Sequence, residues 1–193
     1  QLLAMIEVAR AVGVPVNISL STVFGCPFEG EVAIDAVMAL ARSFAEAGAG
    51  GITLCDTTGM AYPTQVRAVC ETFRRELPAT GLTIHLHNTR GMGLANALAA
   101  WETGVSRFDA AAGGLGGCPY APGASGNVAT EELVHMFASM GVDTGVDLQR
   151  LLGIIGELPT VVEREVCSQL LRAGPRLRTH QPPAWLAEHF AAQ

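Results

Sequence analysis

Four times along this chain a short run of apolar, β-branched residues gives way to apolar positions at helical spacing, and that alternation restricts the fold more than any other feature. VPVNISLSTV, residues 14 to 23 between Gly13 and Gly25, predicts a first strand. Val32, Ala36, Ala39, Leu40 and Phe44 then recur at helical spacing up to Gly48, a C-terminal stop. GITLCDT (51–57) predicts the second strand, and Pro63 opens a helix whose apolar stripe is Val66, Val69, Cys70 and Phe73. LTIHLH (82–87) is the third. Leu94, Ala97, Leu98 and Trp101 follow at i, i+3, i+4 and i+7, and VSRFDAAAG (105–113) after Gly104 predicts the fourth strand. Beyond a glycine-rich loop, Thr130 reads as an N-cap with Glu131 and Glu132 in an acidic first turn.

Strands separated by helices pair in parallel, so the expectation is an α/β fold, either doubly wound or a (β/α) barrel. A complete barrel takes eight units and ~250 residues, so 193 residues hold about half of one. No linker composition divides residues 1–193, which read as a single partial domain with accessory helices from about Asp147 and a loosely ordered end around Pro159, Pro175 and QPP. The opening QLLAMIEVAR reads as a helix already under way. A half-barrel leaves edge strands and apolar surface uncovered, which leads us to expect a homo-oligomer or completion by a missing N-terminal half.

The formal net charge is -6 and the 12 Lys and Arg form no cluster, so neither nucleic acid nor an anionic membrane is expected as a partner. No apolar run approaches the ~20 residues of a transmembrane helix. Five cysteines at irregular spacing, without C-x-x-C, argue against a disulfide framework or a zinc knuckle and fit a reducing cytoplasm.

His85 and His87 carry the strongest chemical signal. Residues i and i+2 of a strand share a face, which places two imidazoles side by side at the strand's C-terminal end, where α/β proteins build their sites. Neutral imidazoles take first-row divalent cations and leave positions for oxygen ligands; the alternative is one core histidine beside one exposed histidine. Asp56, at the end of the second strand, serves either an Asx-type turn or catalysis. Asn127, just before a helix, is either an early cap or a neutral oxygen donor for a hard cation. Cys118 sits in GGLGGCPYAPGASGN, among six glycines and no charge, a poor setting for an inert core thiol and a suitable one for a proton donor. Cys26, in the similar string GCPFEG, reads as structural.

Taken in order, HLHNTRGMGLANAL, GGLGGCPYAPGASGN, VATEELVHMF and GVDTGVDLQRLL strongly resemble the 3-hydroxy-3-methylglutaryl-CoA lyase family, from about Val14 to Leu152. The resemblance implies strands five to eight of a TIM-type (β/α)8 barrel and the C-terminal helices. It implies a divalent cation, Mg2+ or Mn2+, with His85, His87 and Asn127 as metal ligands. Catalytic roles fall to Asp56, to Cys118 as the proton-transfer thiol and to His85. The implied reaction is cleavage of an acyl-CoA thioester to acetyl-CoA and acetoacetate, as in leucine degradation. The sequence departs from the family in carrying Asn88 where an aspartate is usual, AAAGGLGG in place of Ser-Val-Ala before the glycines, and nothing that matches strands one to four with their further aspartate ligand and arginine. The rival readings are a Claisen-type condensing enzyme of the isopropylmalate or homocitrate synthase kind, and an inactive piece lacking the strand-one ligand.

Overall fold

In a computed structural model, which describes residues 1–117, 123 and 126–185, all four predicted strands form and join one parallel sheet. The strands are β1 (Asn17–Leu20), β2 (Gly51–Asp56), β3 (Gly81–Leu86) and β4 (Phe108–Asp109). The helices are α1 (Leu2–Ala11), α2 (Ile34–Glu46), α3 (Pro63–Glu76), α4 (Gly93–Glu102), α5 (Thr130–Ser139), α6 (Leu148–Val162) and α7 (Gln169–Ala173). Spatial order equals chain order, β1-β2-β3-β4. Doubly wound sheets reverse their strand order at a switch point, whereas consecutive βα units laid side by side in one direction build a barrel wall. Four strands make half of that wall.

Alternation along the strands decides what each face carries. Ile18, Leu20, Ile52, Leu54, Leu82, Ile84 and Leu86 face the helices and join one core with Val37, Met38, Val66, Phe73 and Ala97. The opposite face carries Asn17, Ser19, Thr53, Cys55, Thr83 and His85, and the Asn17 side chain donates to Thr53 Oγ1 at 2.8 Å. Pro63 occupies the first turn of α3, where its missing N–H costs nothing. Asp147 caps α6 by accepting from the amides of Gln149 and Arg150, at the position where the accessory helices were expected to begin. Pro159 lies inside that helix rather than in a loose tail. No helix among the described residues is long and apolar enough to cross a membrane.

Three local expectations change. The first strand stops at Leu20, short of residue 23, because the chain turns at Thr22 (φ 55), whose N–H bonds Thr57 Oγ1 at 2.9 Å. The fourth strand is limited to Phe108–Asp109, because Gly113 and Gly114 adopt left-handed φ values of 64° and 65° and curl residues 112–114 into a 3-10 turn. Ala129, not Thr130, is the N-cap residue of α5, and Glu131 and Glu132 are buried against other segments instead of standing free at the helix end. An open groove of about 600 Å³ runs along the β4 edge, lined by Trp101, Phe108, Leu133 and Phe137, and it meets the site below only through Asp109.

Candidate active site and metal centre

The predicted residues that the structure describes gather at the C-terminal rim of β2 and β3. Asp56 ends β2 and is 1% exposed. It makes the Asx-type turn expected of it: Oδ1 accepts from the amides of Met60 at 2.8 Å and Ala61 at 3.2 Å. That leaves Oδ2 buried with no partner among the described residues, so the second expected role stays open to it. Burial raises the carboxyl pKa above its ordinary value, opposed in part by the Met60 and Ala61 amides and by the charge of Arg90. The turn is itself braced. Arg90 donates to the carbonyls of Thr58 and Gly59 at 3.1 and 2.9 Å, and the fully buried Asn96 of α4 donates to the Ala61 carbonyl at 2.9 Å.

His85 lies on β3, and His87 sits one residue beyond it, bridged to Asn127. Their ring centroids are 5.2 Å apart at 66°, so the two imidazoles share one side of the chain as the i, i+2 spacing requires. His87 is buried, and burial first, then the nearby His85 ring, lower its pKa. The effect favours the neutral ring that can ligate a cation. Nδ1 of each ring is buried and has no hydrogen bond among the described residues. Asp109 of β4, which the sequence reading did not single out, pairs with His85 across the sheet and brings Oδ2 to 3.5 Å from His85 Nδ1.

Asn127 does not cap α5. It is held beside β3 by the bond from Val128 N to Leu86 O (3.0 Å), and its Nδ2 donates to the Leu115 carbonyl at 2.7 Å. A carbonyl accepts only from the NH2 side of an amide, which fixes the assignment and leaves Oδ1 buried with no partner among the described residues, on the residue bridged to His87. Asn88, the departure from the expected aspartate, uses Oδ1 to accept from Gly93 N at 3.0 Å. An amide supplies that acceptor as a carboxylate would, so the first amide of α4 keeps its partner. Cys118 lies outside the described residues.

Among the described residues no three His, Cys, Asp or Glu side chains gather as a metal cluster. What gathers is two imidazoles and an amide oxygen, with unpartnered polar atoms on all three residues. Native interiors rarely keep such atoms together without a reason. Three neutral donors with oxygen ligands still to be added suit a divalent cation of the Mg2+ or Mn2+ type.

The chain is 48% identical over 166 residues to a (R)-citramalyl-CoA lyase of Chloroflexus aurantiacus, covering 86% of this chain and 52% of that protein. It is 49% identical over 133 residues to the hydroxymethylglutaryl-CoA lyase YngG of Bacillus subtilis, covering 69% of this chain and 44% of the relative. The chain therefore spans about half the length of the curated relatives it matches. Among solved structures, an HMG-CoA lyase from Acinetobacter baumannii in complex with coenzyme A and 3-methylmalate superposes with a TM-score of 0.89 at 44% identity, over 94% of this chain and 59% of that one. The fold is accordingly the parallel-stranded part of a TIM-type barrel, as its strand order indicated. With the HMGL-like family model matching residues 2–156, the chain belongs to the HMGL-like family.

Proposed function

We propose that this chain is the C-terminal half-barrel of a divalent-cation-dependent carbon–carbon lyase that cleaves 3-hydroxy-3-methylglutaryl-CoA to acetyl-CoA and acetoacetate. The observation that carries the reading is the meeting of His85, His87 and Asn127 at the strand rim, where His87 Nδ1 and Asn127 Oδ1 are buried with no partner among the described residues and Asp109 stands beside His85 Nδ1. His85, His87 and Asn127 Oδ1 would hold the cation, Mg2+ or Mn2+. When bound it polarises the hydroxyl and carboxylate oxygens of the substrate as a Lewis acid.

The reaction needs one proton removed and one supplied. The tertiary hydroxyl gives up its proton, the bond between C2 and C3 breaks with its electron pair going to C2, C3 becomes the ketone of acetoacetate, and C2 of the acetyl-CoA enolate is protonated. We assign Asp56, whose Oδ2 has no partner among the described residues at the end of the strand next to β3, to take or orient the hydroxyl proton. Its raised pKa brings its basicity nearer to what proton transfer at neutral pH requires. Cys118 supplies the proton to C2. The proposed site would need the rest of the barrel wall and a further carboxylate ligand in addition to the described residues.

A second reading concerns only the acyl group. The relative named (R)-citramalyl-CoA lyase matches 86% of this chain at 48% identity. Citramalyl-CoA is also a 3-hydroxy-3-methyl thioester, broken at the same bond. Acetyl-CoA release from the two thioesters by the intact protein, with EDTA and after addition of Mg2+ or Mn2+, separates these readings. Release from neither thioester in the presence of metal would overturn both.

A further inference from the structure

We infer that Glu131 is a positioning residue for Asn127: it fixes the Gly113–Leu115 turn whose carbonyl sets the orientation of the Asn127 amide. The inference rests on the reading above that Asn127 Oδ1 faces a cation.

An acidic residue in the first turn of a helix is stabilised by the helix dipole even when fully solvated, so burial is not needed for that effect. Glu131 is nevertheless 0% exposed, and a buried carboxylate is expensive unless its oxygens are paired. One is: Oε2 accepts from Gly113 N at 3.0 Å, while Oε1 has no partner among the described residues. Glu132 makes a different tie, accepting from Gln169 N at 2.6 Å at the start of α7. The two neighbouring carboxylates thus hold different segments.

Gly113 is gripped from three directions. Its N–H goes to Glu131, its carbonyl accepts from Cys167 N at 3.1 Å, and Val166 lies so close that an added Cβ would sit 3.0 Å from the valine Cβ. From this fixed point the chain runs two residues to Leu115, whose carbonyl takes the Asn127 amide at 2.7 Å. The backbone around Asn127 has separate support, since Asn88 N bonds Gly126 O and Val128 N bonds Leu86 O, both at 3.0 Å. Loss of Glu131 therefore leaves the Asn127 backbone beside β3 while removing the side-chain tie on the turn that orients its amide.

The test compares Glu131→Ala, Glu131→Gln and Glu132→Ala in the intact protein, using Mn2+ affinity by electron paramagnetic resonance and, without metal, hydrogen exchange at residues 113–117. Supporting groups behind metal ligands are typically worth about 10- to 100-fold in affinity, and Glu131→Ala is expected to weaken Mn2+ by that factor and to speed exchange about tenfold or more. Glu131→Gln, which keeps an acceptor for Gly113 N–H, should stay within about threefold of wild type in both measurements, as should Glu132→Ala in Mn2+ affinity despite a lowered Tm. Should Glu131→Ala not fold, the shorter Glu131→Asp takes its place with the same expectation. Wild-type Mn2+ affinity in the Glu131 variant, or equal weakening by Glu132→Ala, would overturn the assignment. If wild type itself binds no Mn2+, the cation reading fails, and exchange at 113–117 alone decides the clamp: unchanged rates overturn it, and rates raised by Ala and restored by Gln support it.

Discussion

Asp109 Oδ2 stands 3.5 Å from His85 Nδ1, on the residue directly opposite that histidine in the β3–β4 pair. The separation is that of an ion-pair contact without an aligned hydrogen bond, since Nδ1 has no partner. Ligating histidines usually present their second nitrogen to a carboxylate, which fixes the tautomer and leaves the other nitrogen for the metal. Asp109→Ala should therefore weaken Mn2+ by about tenfold. The Asp109 side chain is 58% exposed, so the fold should tolerate its loss. A Mn2+ titration alongside thermal unfolding checks both halves of the statement, and unaltered affinity would mean that strand geometry alone orients His85.

Asp56→Asn should make the protein more stable at neutral pH while removing activity. Burial raises the Asp56 pKa, so the folded state holds the proton more tightly than the unfolded chain. The stability linked to that proton is full below the ordinary carboxylate value and is lost as pH rises through the folded pKa. Asparagine keeps an oxygen for the Met60 and Ala61 amides and carries no charge. A gain of about 1 kcal/mol, or 2–4 °C in Tm for a chain of this size, is expected at pH 7. It should vanish at pH 3, where wild type is neutral too. Activity should fall by about 10²- to 10⁴-fold, the usual worth of general acid–base catalysis. Melting curves at the two pH values test the sign; a variant less stable at both would mean the charged carboxylate is a net stabiliser.

The strands and helices were legible because their apolar periodicity is strong and their stops are glycines and prolines with definite roles. The i, i+2 pairing of His85 and His87 was equally direct, since strand geometry alone puts both rings on one side. Asp109 was not legible: it lies on a strand only two residues long, and only the register with β3 brings it to His85. Glu131 does lie in the first turn of α5 as expected, but its tie to Gly113 was not legible for a related reason. A Glu one residue past an N-cap reads as a dipole partner, and nothing local says that a left-handed Gly113, far back in the chain, turns its N–H toward it. Asn96 is the one polar residue on the buried side of α4, and its polar character was the one available sign that α4 braces the Asp56 loop.

Thiol reactivity should divide the cysteines. Burial first, with the charge of Asp109 behind it, pushes Cys55 up to about 11, and burial pushes Cys70 up to about 12. Only thiolates alkylate readily, so at pH 8 both should resist iodoacetamide in the native protein and react after unfolding, as peptide mass spectrometry would show. Cys118→Ala should reduce kcat by about 10²- to 10⁴-fold with little change in Mn2+ affinity, because its assigned task is proton delivery and not ligation. Full turnover by that variant would remove the thiol from the mechanism.

Gly116 separates the cost of a strained backbone from the cost of a displaced ligand. It adopts φ 91°, and an added Cβ would lie 2.7 Å from Asn127 Nδ2, inside the distance real Cβ atoms keep. Gly141, just past α5, also has positive φ (79°) but nothing within 4 Å of such a Cβ. Alanine at either site bears the left-handed penalty of roughly 1–2 kcal/mol. Both variants should therefore melt a few degrees lower. Only Gly116→Ala must also push the Asn127 amide off the Leu115 carbonyl, moving Oδ1 away from the histidine pair. Its Mn2+ affinity should drop by about tenfold or more while Gly141→Ala binds as wild type does. Equal affinities in the two variants would show that Asn127 is not held at the cation by that contact, and would leave His85 and His87 as the ligands supplied by the described residues.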